Sequence, residues 1–188
     1  MRVGAVVLAA GASKRLGEPK QLVRLGGGTL LERAVQTARE ACCSPIMVVV
    51  GADYAEVLAN SALGDAVTVI NDQWMEGMAS SIRSGLRDLR VAAPDSEGVL
   101  LMTCDQPAVT KEHLSRLMLS AEVKASRYAG RNGAPVFFPA EYFEKLMGLA
   151  GDAGARELLA EVRCEELEDG ELDVDTPADL VRARKLFG

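Results

Sequence analysis

The segment VGAVVLAAGASKRLGEPKQL, residues 3–22, decides the fold. From Val3 to Ala10 it is apolar or small without a break, and Gly11 ends the run. An unbroken apolar run predicts a strand buried on both faces of a parallel sheet, since a half-exposed strand would alternate. The loop after it carries Lys14, Arg15 and Lys20, although the chain as a whole has a net charge of −6.

Working outward, strand-like and helix-like segments alternate. The segment 30–42, LLERAVQTAREAC, spaces Leu31, Ala34, Val35 and Ala38 as a helix would. IMVVVG (46–51) is a second buried strand, DYAEVLANSAL a short helix and AVTVIN (66–71) a third strand. SSIRSGLRDLR (80–90) is helical; GVLLMTC (98–104) is a fourth buried strand ending at Asp105; KEHLSRLMLSAE (111–122) is a helix. This alternation predicts an α/β fold, a Rossmann-like doubly wound and mainly parallel sheet flanked by helices, because parallel neighbours need crossover helices. Right-handed crossovers make 3-2-1-4 the simplest core order. The chain then reverses direction between strands one and four, and open α/β sheets bind ligands at such a switch point. Asp105 and the first loop would face each other there. Further on, APVFF reads as a strand, PAEYFEKLMGL and AGARELLAEV as helices, RCEELE and ELDVDTP as short strands, and ADLVRARKLF as a last helix.

Composition narrows the function. The apolar share is 48% and the charged share 26%, ordinary globular values, and the acidic balance argues against a nucleic-acid coat or a binder of anionic membranes. No stretch approaches the ~20 apolar residues of a spanning helix, and the N-terminus reads as a buried strand rather than a signal peptide, so the expected location is cytoplasmic. Cys42, Cys43, Cys104 and Cys164 lack CxxC spacing and read as reduced thiols; His113, in TKEHLSRLM, reads as an ordinary helix residue.

The first loop carries the chemistry. Gly11 frees the backbone to turn and lets amides approach an anion, while Lys14, Arg15, Lys20 and Arg24 face only Glu18. That describes either a phosphate cradle or a solvated basic loop. It is not a Walker loop, because five residues separate Gly11 from Gly17 where four are required, and no G-x-G-x-x-G is present. Pro19 also opposes a helix starting at Gly11. A carboxylate at Asp105, opposite a cradle, would repel phosphate by roughly 4 kcal/mol at 4 Å and an effective dielectric of 20. Mg²⁺ between them resolves the conflict; a turn or cap role for Asp105 is the alternative. In ELDVDTPADL, Asp173 and Asp175 share a face if extended, and Thr176-Pro177 fits a helix start. Either aspartate could supply a second metal ligand, with capping as the competing role for Asp175.

These residues resemble a known family. LAAGASKRLGEPK is similar to the LAAGxSxRMGxxK signature of the MobA/MocA-like nucleotidyltransferases of molybdenum-cofactor maturation, departing only at Leu16. NDQWMEGMASSIRSG, CDQP, GRNGAPVFFP, GDAGARELL and DVDTPADL follow in the family's order, so the resemblance spans essentially the whole chain. Ala9-Ala10-Gly11, DQP and GDAGAR resemble the cytidylyl branch; the guanylyl branch reads LAGG.

The resemblance implies one NTP-transferase domain over 1–188, with 1–110 binding nucleotide and 111–188 binding the acceptor. It implies CTP in preference to GTP, a molybdopterin-type acceptor, Mg²⁺, and a molybdoenzyme of the xanthine-dehydrogenase type as a downstream partner. Ala9, Ala10, Gly11, Ala12 and Arg15 would hold the triphosphate, Lys20 would steady charge at the α-phosphate, and Asp105 with Asp175 or Asp173 would hold the metal. Lys20, Arg15 and Asp105 form the implied catalytic set. Asn71, Gly77 and Ser81 fall in the implied base-binding segment, and Gly133, Pro135, Asp152 and Arg156 would lie toward the acceptor. Two other readings stay open: a related transferase using GTP or another phosphorylated acceptor, and a non-catalytic carrier of the molybdenum cofactor.

Overall fold

The computed structural model describes residues 2–152 and 154–188. Strand β1 (Val3–Ala9) is buried at every position but Leu8, as its apolar run requires. A single 3₁₀ turn, Lys20–Leu22, and a small hairpin of β2 (Arg24–Leu25) and β3 (Gly28–Thr29) lead into α1 (Leu30–Glu40). Gly26 and Gly27 form the tip of that hairpin. Thr29 caps α1 through a capping box: Glu32 N–H donates to Thr29 Oγ1 at 3.1 Å, and Thr29 N–H donates to Glu32 Oε2 at 2.8 Å. Then follow β4 (Ile46–Val50), α2 (Tyr54–Ala59), β5 (Val67–Ile70), α3 (Met78–Ala92), β6 (Gly98–Thr103) and α4 (Lys111–Met118).

The sheet order confirms the expected core. Strands β5-β4-β1-β6 run parallel in sequence, the predicted 3-2-1-4 arrangement. Beyond β6 come β7 (Lys124–Tyr128) and β8 (Arg131–Pro139), then α5 (Phe143–Met147), β9 (Arg163–Glu166) and α6 (Pro177–Phe187). The seven-stranded order is β5-β4-β1-β6-β8-β7-β9, with β8 antiparallel to both β6 and β7, and β9 parallel to β7. Side chains of β1 alternate between two cores: Val3, Ala5 and Val7 pack with α1 and α4, while Val6 packs with α3 and Leu146 of α5.

Two expectations in the second half are corrected, and one strand comes in addition. AGARELLAEV is not an α-helix; its described part forms only a 3₁₀ turn, Arg156–Leu159, after Gly154 at φ +57° packed under Met78. ELDVDTP is not a sheet strand. It starts in a turn, with Leu172 N–H on Asp169 C=O and Asp173 N–H on Glu171 C=O, and its backbone bond to the sheet side is Val174 N–H to Asp105 C=O at 2.9 Å; its apolar residues face a third core rather than a free sheet edge. That core joins Leu16 of the first loop to Leu172, Val174, Leu180 and Ala183, and fully burying a residue such as Val174 is worth about 1.5–3 kcal/mol. Finally β7, sequence KASRY, pairs with β8 through Ala129-Gly130, both at positive φ, without the Asn-Gly signature of such turns.

The four cysteines are free thiols, and burial pushes those of Cys43 and Cys104 up to about 12, so both stay protonated at neutral pH. Among the described residues no helix is long and apolar enough to cross a membrane.

His113 is 1% exposed in α4, with Nε2 at 2.7 Å from Ser126 Oγ and no partner for Nδ1 among the described residues. Burial, then the charges of Arg116 and Lys124, hold its pKa down to about 4, with Glu165 opposing. A depressed histidine contributes stability above its unfolded value of ~6.5, and that contribution is lost as pH falls toward 4. Denaturant titrations should therefore show an extra loss of roughly 2–3 kcal/mol between pH 6.5 and 4 in the wild type that is missing in His113→Gln. Parallel pH curves for the two proteins would remove His113 as the cause.

Candidate active site

The loops after β1 and β6 leave the sheet at adjacent strand ends, at the reversal of winding, and bound a cleft of about 600 Å³. Its walls include Ala9, Ala10, Gly11, Lys14 and Lys20 from the first loop, Trp74 to Met78 and Ser81, Thr103 and Asp105, and Asp152. The sequence-based placement of the first loop opposite Asp105 is what the fold delivers.

At the cleft Lys20 binds two carboxylates. Its Nζ donates to Asp105 Oδ2 at 2.5 Å and to Asp175 Oδ1 at 2.7 Å, and Arg15 donates to Asp175 Oδ2 at 2.7 Å. Burial pulls the Lys20 ammonium down, but the Asp105 charge and hydrogen bonds to Asp105 and Asp175 outweigh it and hold its pKa above the ordinary lysine value. The side chains of Lys20 and Asp105 are only 16% and 12% exposed, so these contacts are weakly screened. Asp173, half-buried and facing the charges of Asp105 and Asp175, has its carboxyl pushed up to about 6, with burial as the main cause. Asp173 and Asp175 are each partly exposed, with Val174 buried between them.

The third core explains this convergence. Leu16 and Val174 pack in one cluster, and the Val174 bond to the Asp105 carbonyl fastens the C-terminal segment beside β6. Thr176 then caps α6 with Pro177 at its start, as expected, and Asp179 completes the capping box. Capping at this helix falls to Thr176, which leaves the Asp175 side chain for Lys20 and Arg15.

The first loop is held from within. Ser13, at φ +49°, accepts from Leu16 and Gly17 N–H through its carbonyl and from Lys20 N–H through Oγ. Arg15 is largely exposed and turns to Asp175, while Lys14 lines the cleft together with Lys20. Lys14 drew notice only as one charge among four; its lining position depends on the loop path. Ala12 is not among the cleft-lining residues.

Opposite the loop, Gly77 adopts φ +104°, and a Cβ there would come within 2.7 Å of both the Asp152 Cα and the Gly151 carbonyl oxygen. Only glycine allows segment 77–79 to close against 151–152 in this conformation. Asn71 is 3% exposed and lies behind the wall: its Nδ2 donates to Ser80 Oγ at 2.9 Å and Ser81 Oγ at 3.0 Å, and its Oδ1 accepts from Gln73 N–H. It braces the wall, and Ser81 lines the cleft.

The four acceptor-side residues do not converge. Asp152 lines the main cleft, but Arg156 lies in a separate hollow of about 260 Å³ with Arg127 and Asn132. Pro135 is buried within β8, and a side chain at Gly133 would strike the Tyr128 hydroxyl.

The donor set suits a hard divalent cation. Two carboxylates already share one positive charge, the Lys20 ammonium, between them, and Mg²⁺ commonly takes one or two carboxylates plus phosphate oxygens. Among the described residues no group of three or more His, Cys, Asp or Glu forms a complete metal cage, so substrate oxygens would have to complete the coordination.

Comparison with known proteins agrees with this geometry. The model of the MobA-like NTP transferase domain matches residues 5–168. The chain is 32% identical to the nicotine blue oxidoreductase of Paenarthrobacter nicotinovorans, covering 96% of this chain and 95% of the other, and 30% identical to the purine catabolism protein PucB of Bacillus subtilis, covering 94% of each. The Escherichia coli molybdenum cofactor cytidylyltransferase is 24% identical over 98% of this chain and 97% of its own. Among solved structures, Rv0371c of Mycobacterium tuberculosis superposes with a TM-score of 0.87 at 32% identity, covering 98% of each chain. A manganese complex of Rv0371c gives 0.81 at 30% identity, covering 99% of this chain and 100% of the other. With that domain match over most of its length and a doubly wound core to fit it, the chain belongs to the MobA-like NTP transferase family and is a nucleotidyltransferase.

Proposed function

We propose that the protein transfers CMP from CTP to the phosphate of a molybdopterin-type cofactor, with Mg²⁺, releasing pyrophosphate. The observation that carries the reading is Lys20 bridging Asp105 and Asp175 at the mouth of a cleft walled by the first loop. An acceptor phosphate oxygen forms a bond to the α-phosphorus while the bond from that phosphorus to the departing pyrophosphate breaks. Catalysis by positioning and charge stabilisation needs no protein nucleophile. Magnesium, when bound, supplies charge neutralisation at the phosphates, and Asp105 with Asp175 would hold it; Asp173 stands beside them.

In this reading the first loop, Ala9 to Ala12, holds the triphosphate with Lys14 and Arg15. Residues 1–110 bind the nucleotide and 111–188 the acceptor, apart from Asp175, which serves the nucleotide side. Ser81 Oγ already accepts from Asn71, which leaves its hydroxyl proton to donate to a base edge. Preference for CTP rests on Ala9-Ala10-Gly11 and its resemblance to the cytidylyl branch. The acceptor assignment rests on the same resemblance and on the name of the Escherichia coli relative, which aligns along nearly its full length.

The test is pyrophosphate release with purified molybdopterin cofactor and Mg²⁺ across CTP, GTP, UTP and ATP. The expected result is turnover with CTP at least about tenfold above GTP in kcat/KM, a difference of ~1.4 kcal/mol in transition-state binding. Turnover with GTP or with a sugar phosphate would move the protein to another branch of the superfamily. Tight cofactor binding with no pyrophosphate from any nucleotide would support the carrier. Oxidation of reduced nicotinamide without pyrophosphate release would overturn nucleotidyl transfer as its reaction.

A further inference from the structure

Gln21 is 1% exposed, directly beside Lys20 in the Lys20–Leu22 turn, yet its side chain bonds backbone carbonyls of the first loop where Lys20 bonds the carboxylates. Its Nε2 donates to Ala9 C=O at 2.6 Å and to Gly11 C=O at 3.0 Å. Both contacts are carbonyl oxygens, so the amide nitrogen must face them, and both of its hydrogens are used. Its Oε1 is buried with no partner among the described residues.

We infer that Gln21 is a positioning residue that sets the phosphate-binding loop in its working shape. The inference rests on the reading of residues 9–12 as the triphosphate loop. Two of the loop's carbonyls are drawn to one buried amide. In a trans peptide the C=O and the following N–H point in opposite directions across one plane. Anchoring the Gly11 carbonyl on the buried Gln21 therefore turns the Ala12 N–H to the loop's open side, where an anion would meet it. The same short turn carries Lys20, so one dipeptide fixes both the loop backbone and the ammonium that holds Asp105 and Asp175. The distance between cradle and lysine is then set by adjacent residues rather than by the flexible stretch between Gly11 and Pro19.

The unpaired Oε1 argues against a role in stability alone. A buried acceptor without a partner destabilises a fold, and a methionine of similar shape would fill the same space without it. The polar residue is explained by the two bonds it donates.

The experiment compares wild type, Gln21→Met and Gln21→Glu as full-length chains. Binding of CTP and of GTP with Mg²⁺ is measured by calorimetry, hydrogen exchange is followed over residues 9–17, and KM and kcat come from pyrophosphate release. Gln21→Met should fold with a modestly lower melting temperature, because the Ala9 and Gly11 carbonyls lose their donor, exchange faster in residues 9–17, and raise the nucleotide Kd and KM about tenfold with a smaller change in kcat. Gln21→Glu, which keeps the shape and loses the donors, should weaken binding at least as much. A wild type that binds neither nucleotide overturns the triphosphate reading of the loop and leaves the clamp to the exchange data. A wild type that binds, with Gln21→Met matching it in affinity and exchange, overturns the inference alone. So does a Gln21→Met chain that fails to fold, or recovered affinity in Gln21→Glu.

Discussion

Asp105→Ala should abolish metal-dependent pyrophosphate release, a loss of at least about 10³-fold in kcat, while the chain stays folded. Asp105 lies two residues beyond β6, a buried strand parallel to β1 and antiparallel to β8, and its link to the C-terminal segment is through its backbone carbonyl, which alanine retains. Lys20 would keep Asp175 at 2.7 Å, so its ammonium is not stranded. Losing one charge-assisted hydrogen bond of this kind is worth about 1.5–3 kcal/mol, visible as a lower melting temperature without loss of cooperativity. Manganese binding followed by its paramagnetic resonance should weaken in the variant even without acceptor. A folded Asp105→Ala protein with near-normal turnover would take Asp105 out of the metal site and leave it as a partner of Lys20 only.

How much of this was legible depends on whether a residue's role is carried by its own chemistry or by distant packing. β1, β4 and β6 could be read from sequence because strands covered on both faces must be apolar throughout, and β5 because Val67 to Ile70 are all β-branched, although only Val69 is buried. Lys20, Asp105 and Asp175 could be read because a cationic loop and strand-end carboxylates have few other reasons to occur together at a switch point. The lysine bridging both aspartates was not legible, since it depends on Leu16 packing with Leu172 and Val174 from the far end of the chain. Asp173 and Asp175 flank buried Val174, and the segment is held by that core instead of by a sheet neighbour. β7 escaped because Lys124, Ser126 and Arg127 conceal a strand whose Ser126 is fully buried between His113 and the Pro135 carbonyl. Gln21 escaped for a related reason: its partners are backbone carbonyls, which leave no mark in a side-chain pattern.

Lys20→Ala should lower kcat by about 10²–10³ while changing nucleotide KM far less, because a cation placed at developing phosphate charge acts mainly in the transition state. The ligand-free protein supplies a second, independent readout. Removing the ammonium leaves Asp105 and Asp175 facing each other across the space it filled, with Asp173, whose carboxyl already titrates near 6, beside them. An uncompensated pair of this kind is destabilising, by up to about 3–5 kcal/mol when fully buried and less here because Asp175 is 30% exposed and keeps Arg15. The metal-free variant should therefore melt earlier than wild type. A divalent cation replaces the missing charge, and a ligand that binds only the folded state stabilises it by mass action. Mg²⁺ should then raise the melting temperature of Lys20→Ala more than that of wild type, where the lysine must first give up its carboxylates. Equal Mg²⁺ shifts in the two proteins would mean that the metal binds elsewhere. A loss confined to KM, with kcat intact, would reduce Lys20 to an anchor for the nucleotide.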